Sequence, residues 1–282
     1  MSKKGSSNLA ARTALCIGIN DYPGTQSDLA GCVNDAHDWK KALVARGFDV
    51  TTLFDKQAKG DAIRKAIRAV LEPAKSGDLV VIQYSGHGTF VPDEDGDESD
   101  GTDECWCPHD ISANGPITDD ELFDLYSDRA NGVRLVVLSD SCHSGTVMRF
   151  APIVTPTAVG GRSPIVRKVR FLPPSTFLSS REAAKLGVVR GVRGSSPPGR
   201  YAGLLMSGCQ DTEYSYDAYF NGRPNGAFSF VALRELAKLS ASATYAQWFA
   251  RIRKVLPSQQ YPQRPNLYGS SRMKAWKVFV GA

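Results

Sequence analysis

No apolar run in this chain approaches the length of a membrane span, and residues 1–11 are polar and rich in Lys and Ser. A secretory leader would need an apolar core there. The expectation is therefore a soluble, cytoplasmic protein with a disordered lead over 1–11. Cysteine is scarce, with 6 in 282 residues. Cys16, Cys32 and Cys209 lie in or beside apolar runs, where buried free thiols sit. That is no disulfide framework, and it points to a reducing compartment. Cys105 and Cys107 with His109 lack the four-ligand spacing of a zinc module. Internal repeats are missing as well. Acid is nearly missing from 149–200, where Glu182 faces Arg149, Arg162, Arg167, Lys168, Arg170, Arg181, Lys185, Arg190, Arg193 and Arg200. Aromatics there are only Phe150, Phe171 and Phe177, so base stacking is poorly supported and no specific nucleic-acid partner is expected.

What is present is a 42% apolar chain, enough for one large α/β domain or two small ones. Short apolar runs over 13–19, 49–54, 78–85, 135–138, 203–208 and 276–280 read as strands. Helical spacing follows the first at about 34–46, capped by Asn34 or Asp35 and ended by Gly47. A second helix fits 61–71, where Ile63, Ile67 and Val70 share one face. Thr118 with Glu121, and Thr244 with Gln247, read as capping boxes of later helices, and another helix follows Gly226. Residues 91–116 read as a long acidic loop, and 149–200 as an irregular segment rich in Pro and Gly. Strands alternating with helices imply a mostly parallel sheet with helices on both faces.

Two of these strands end in reactive residues. The run Leu135–Leu138 leads into Asp140, Ser141, Cys142, His143, Ser144 and Gly145; the run Asp78–Ser85 ends in Gly86, His87 and Gly88. Parallel sheets carry their sites at the carboxyl ends of strands, and successive strands are usually neighbours. His87 and Cys142 should then meet in one crevice. The interval between them agrees with the roughly fifty residues between His and Cys of caspases. An imidazole can take the thiol proton and return it to a leaving amine. Glycines beside His87 let the chain turn and a substrate backbone approach. Backbone N–H groups at Gly88 and Cys142 are candidate oxyanion donors. His143 adjoins Cys142 and is a rival base, ranked below His87 because adjacent side chains diverge. His37 and His109 show no partner. A carboxylate as close to the nucleophile as Asp140, once buried, needs a cation.

The motif residues resemble the metacaspases, here of a type I-like form without a long N-terminal prodomain. Tyr84–Gly88 and Asp140–Gly145 carry the resemblance. So do Gly31–Ala36 (GCVNDA), Gly115–Glu121 (GPITDDE), Ser207–Cys209 with Asp211, Asp217, Ala218, Gly226 and Ala227, and Gln260–Gln263. The resemblance implies a caspase-like α/β fold with about six mostly parallel strands flanked by helices. It divides the chain into a large-subunit-like part (12–148), a basic linker (149–200) and a small-subunit-like part (201–282). It implies a cysteine endopeptidase cleaving after Arg, then Lys, with His87 and Cys142 as dyad. It also implies that Asp35, Ser85 and Asp140 line the pocket for the substrate's basic side chain. The linker, dense in that residue type, is expected to be a substrate of the enzyme itself and a plug in its cleft.

No cofactor is expected to be required, with calcium a candidate modulator. Residues 93–104 (DEDGDESDGTDE) place Asp93, Asp95, Asp97 and Glu104 nearly as an EF-hand does, but Glu98 stands where glycine is needed. By the resemblance, calcium ligands would be Asp103, Asp119 and Asp120, while Arg149 occupies a further ligand position. Partners are expected to be protein or peptide substrates with Arg or Lys, and the chain is expected to be a monomer without membrane contact. Two rivals stay open: a caspase-fold peptidase of non-basic specificity, and a scaffold that binds partners without proteolysis.

Overall fold

A computed structural model describes residues 10–93, 102–142, 167–179, 202–210 and 213–281. The central sheet takes β1 (Arg12–Gly18), β2 (Asp49–Phe54), β3 (Leu79–Ser85), β7 (Arg134–Asp140), β9 (Leu204–Ser207) and β12 (Asn266–Tyr268). Their order is β12-β9-β7-β3-β1-β2. All pairs are parallel except β9 with β12. Six strands, mostly parallel, are thus what the sequence pattern predicts.

Burial on both faces explains the unbroken apolar strands. Leu79 and Val81 of β3 and Val136 and Leu138 of β7 face one layer. That layer holds Trp39 and Leu43 of helix α1 (Cys32–Val44), with Phe228 and Trp248 from two later helices. Val80, Ile82, Leu135 and Val137 face the other. There they meet Ile63 and Ile67 of α2 (Gly60–Leu71) and, after the short helix α3 (Ile111–Asn114), Leu122 and Leu125 of α4 (Asp119–Ser127).

Several local expectations change. Residues 276–280 are not a strand: Phe279 takes φ +56 and buries its ring against Phe48, Tyr245 and Trp248. Packing of one aromatic overrides the apolar run, and β12 takes the edge place. The region 91–116 is not all loop. Strands β4 (Gly88–Pro92), β5 (Thr102–Trp106) and β6 (Ile117–Thr118) form an antiparallel sheet across its ends. Neither Asn34 nor Asp35 caps α1, which starts after Gly31 with no side-chain cap; Asp35 is buried within its first turn. Thr118 accepts from the Glu121 N–H, but Glu121 answers to Arg64 rather than closing the box. The Thr244–Gln247 box closes in both directions. A third sheet joins β8 (Arg167–Val169), β10 (Tyr216–Phe220) and β11 (Arg223–Gly226). Part of the expected irregular linker is therefore an ordered strand. The six cysteines are free thiols. Among the described residues no helix is long and apolar enough to cross a membrane.

Candidate active site

The register of β3 against β7 pairs Ser85 with Asp140. His87 and Cys142, each two residues further on, therefore leave the sheet at the same level on adjacent strands. Gly86 owes its identity to packing, since a Cβ there would strike the hydroxyls of Tyr84 and Tyr22. The sharp turn expected of it does not require a positive φ. The Tyr22 hydroxyl accepts the His87 N–H at 2.7 Å, and its ring lies 4.6 Å from the imidazole.

The imidazole is fixed at one nitrogen. His87 Nε2 lies 2.6 Å from the Ser27 carbonyl. A carbonyl only accepts, so Nε2 carries the proton and Nδ1 keeps its lone pair. Nδ1 is buried without a hydrogen-bond partner. Burial is the main cause that pulls the His87 pKa down to about 4, opposed by the Ser27 carbonyl and the Asp217 charge. The ring is thus neutral at pH 7 and acts as an acceptor through Nδ1. The Cys142 thiol rests on the Ser215 backbone: Sγ accepts the Ser215 N–H at 2.6 Å and lies 3.5 Å from its carbonyl. His143, the rival base, lies outside the described residues, as do Ser144, Gly145 and Arg149.

A segment of the chain itself crosses this site. Strand β8 pairs antiparallel with β10, matching Val169 with Tyr216, Lys168 with Asp217 and Arg167 with Ala218. The Arg170 N–H continues the ladder to the Ser215 carbonyl at 2.9 Å. The Arg170 carbonyl then accepts two N–H groups, from Gly88 at 3.0 Å and Cys142 at 3.2 Å. These are the two amides expected to hold an oxyanion. Beyond them Leu172 N–H donates to the Gly88 carbonyl at 2.9 Å, and Thr89 Oγ1 donates to the Leu172 carbonyl at 2.7 Å.

The Arg170 side chain is fully buried among three carboxylates. Nη2 donates to Asp35 at 2.7 Å and Asp217 at 2.8 Å; Nη1 reaches Asp140 at 3.2 Å. Each carboxylate is held by other donors. Asp35 accepts from Asn225 Nδ2 at 2.9 Å and the Gly226 N–H at 3.0 Å. Asp140 accepts from Ser215 Oγ at 2.6 Å and the Ser229 N–H at 2.9 Å. Asp217 accepts from the N–H groups of Ala30 at 2.9 Å and Gly31 at 3.0 Å. Burial would weaken the guanidinium's hold on its proton, but Asp140, Cys32, Asp35 and Asp217 outweigh it and push its pKa up. Burial lifts Asp35 to about 7, against the pull of Arg170. Three acids share one cation, so a positive charge at this position is demanded by the pocket's own electrostatics.

Of the residues expected to line this pocket, Asp35 and Asp140 touch Arg170. Ser85 is buried, but its hydroxyl accepts from Gln83 Nε2 at 2.8 Å and makes no hydrogen bond to Arg170. Asp217, Ser215, Ser27 and Arg170 also belong to the site, although the sequence pattern does not mark them as site residues. The signal for Asp217 is an acid inside the aromatic run YDAYF. For Arg170 it is a short mix of basic and apolar residues, RKVRFL, within an otherwise irregular segment.

The candidate metal residues lie elsewhere. Asp103 sits on β5, and Asp119 and Asp120 open α4; the β5–β6 pairing of Cys105 with Thr118 brings these ends together. Even so, no group of three or more His, Cys, Asp or Glu among the described residues is arranged to hold a metal ion. The core of the acidic loop, 94–101, lies outside the described residues.

Comparison with known proteins decides the family. A model of the caspase domain matches residues 11–276. The chain belongs to the caspase-domain family, in its metacaspase branch. It is similar to Metacaspase-7 of Arabidopsis thaliana, 49% identical over 145 residues, covering 48% of this chain and 35% of the relative. Metacaspase-1 of Cryptococcus neoformans is 32% identical over 95% of this chain and 64% of its own length. Metacaspase-1 of Mycosarcoma maydis is 31% identical, with 98% of this chain and 74% of the relative covered. The chain thus spans less than two thirds of the first two metacaspases it matches. A crystal structure of a Geobacter sulfurreducens protein shares the fold with a TM-score of 0.70 at 30% identity, covering 96% of this chain and 99% of that one. Caspase-1 from Spodoptera frugiperda superposes with a TM-score of 0.58 at 13% identity, covering 93% and 90%, a likeness of fold alone.

Proposed function

We propose that this metacaspase is a cysteine endopeptidase that cleaves after Arg, with Lys second, and that its first substrate is its own Arg170–Phe171 bond. One observation carries the reading: Arg170 puts its guanidinium among Asp35, Asp140 and Asp217 while its carbonyl rests on the Gly88 and Cys142 amides. That is how a substrate would lie, with side chain in a specificity pocket and scissile carbonyl in an oxyanion hole. Arg is favoured over Lys because two nitrogens of one planar group reach three carboxylates, which an ammonium cannot do in the same geometry.

The reaction is acyl transfer to sulfur. The thiol turns from Ser215 toward the Arg170 carbonyl carbon, and its proton passes to His87 Nδ1. Sulfur bonds to that carbon, and the two amides take up the negative charge on oxygen. The C–N bond to Phe171 then breaks, and the imidazolium returns the proton to the departing amine. Water, deprotonated by the same nitrogen, hydrolyses the thioester and frees the Arg170 carboxylate. No step runs through a metal. Until the bond is cut and the upstream strand leaves, β8 occupies the place of other substrates.

The test pairs wild type with Cys142→Ala. After incubation, wild type should yield a new N-terminus at Phe171 and the alanine variant none. Fragments forming equally in both would overturn self-cleavage. Fluorogenic peptides ending in Arg should be cut faster than those ending in Lys, with Asp and Asn peptides untouched. Turnover of Asp peptides in place of Arg would remove the acidic pocket from the reading. No turnover of any peptide would leave a caspase-fold scaffold.

A further inference from the structure

The seated segment touches more of the cleft than the acidic pocket. Arg167, three residues before Arg170, lays its guanidinium 5.0 Å from the centroid of the Tyr216 ring and donates to the Gln260 carbonyl. Tyr216 is backed by Tyr261, with ring centroids 6.3 Å apart, and its own N–H is held by Gln263 Oε1 at 3.1 Å. The ring is therefore a fixed platform rather than a chance neighbour. Between the two arginines, Lys168 is exposed, its Nζ donating to the Asp28 carbonyl at 2.7 Å. On the other side of the cut, Phe171 stacks on Phe90, with centroids 6.0 Å apart and planes 15° apart, and meets Tyr214 at 6.5 Å. Phe90 and Cys209 close this apolar recess directly beside Cys142.

Resting on the proposed specificity for Arg, we propose that the cleft also selects a basic residue three positions before the cleaved Arg and an aromatic residue immediately after it. The substrate class is then an extended peptide of the form basic-x-x-Arg followed by an aromatic. The backbone pairing with β10 sets the spacing: residues 167 and 169 lie on one side of the strand and 168 on the other. A cation over a tyrosine face supplies attraction that a neutral side chain lacks. Offset stacking on Phe90 does the same for an aromatic against an aliphatic or an acid. The middle two positions, one exposed and one aliphatic, are expected to be permissive.

Quenched fluorogenic peptides spanning Arg-Lys-Val-Arg-Phe-Leu, offered to the full chain, test this. Replacing the first Arg by Ala should lower kcat/KM by roughly 3- to 30-fold. Replacing Phe by Ala should lower it about tenfold, and replacing Lys by Ala less than about twofold. The Tyr216→Leu chain should lose the preference between the Arg and Ala peptides while still cutting the Ala peptide. Equal rates for all peptides that keep the central Arg would overturn this extended selection alone. Equal rates with Ala in place of the central Arg would instead overturn the basic specificity beneath it. The wild-type peptide series decides the matter even if the Tyr216 variant does not fold.

Discussion

Two sets of three acids among the described residues differ in what organises them. Asp35, Asp140 and Asp217 come from a helix, the end of a central strand and a strand of a separate sheet. They converge on one buried guanidinium, and backbone N–H groups fix all three. Asp103, Asp119 and Asp120 lie on β5 and at the start of α4, close in sequence to a far denser run of acids. Density of charge along a chain marks self-repulsion. A binding site needs carboxylates brought together by the fold and held there by donors that cannot move away.

The comparison breaks most visibly at the specificity pocket. Asp140→Asn or Asp217→Asn should lower kcat/KM for Arg peptides by roughly 100- to 1,000-fold, or about 3–4 kcal/mol. Asp103→Asn should change it by less than about threefold. Equal losses from both groups would erase the distinction. Next comes stability. Arg170→Ala leaves three buried carboxylates without their cation and should cost about 3 kcal/mol in denaturant unfolding. A loss under about 1 kcal/mol would mean the pocket reopens to water.

A smaller effect sharpens the electrostatics. The His87 pKa falls from 6.5 to about 4 on folding, chiefly by burial. Between those values the unfolded chain takes up a proton that the folded one refuses, so this group makes stability rise with pH. Asp35 moves the other way, from 3.8 up to about 7, again chiefly by burial. Over that range the folded chain binds the extra proton, and stability falls as pH rises. The two slopes oppose each other between pH 4 and 6.5. Asp35→Asn should unmask the histidine, adding a rise of about 1.4 kcal/mol per pH unit across that window. An unchanged profile would deny that Asp35 titrates there. Calcium should do least: millimolar calcium is expected to move the thermal midpoint of Cys142→Ala by less than about 2 °C. A larger rise that Asp119→Asn abolishes would show the second acid group to be organised after all.

The parallel core and the placing of His87 and Cys142 were legible because each depends on a local pattern. A buried strand announces itself by its apolar run, and a polar turn after it announces a site. The strands β4–β6 and β10–β11 were not legible, since short polar antiparallel strands carry little periodic signal. Asp217 and Ser215 reach the site only through β10, and Ser27 only through the loop before α1. Ser85 is buried at the level of Asp140, as its motif position predicts, and its hydroxyl accepts from the Gln83 side chain two residues earlier. The expected strand at 276–280 failed because one ring, Phe279, found a better place in the aromatic core.

Leu172 is fully buried on the core face that also takes β3 and β7, and its main chain is tied at both the N–H and the carbonyl. The segment is therefore hung like a door with a latch and a hinge. If the chain is cut after Arg170 as proposed, the latch, the short strand resting on β10, is freed. The hinge must then open as well: the Phe90 recess beside the sulfur takes another substrate's aromatic only once Phe171 withdraws, and the buried, doubly tied Leu172 is what resists that withdrawal.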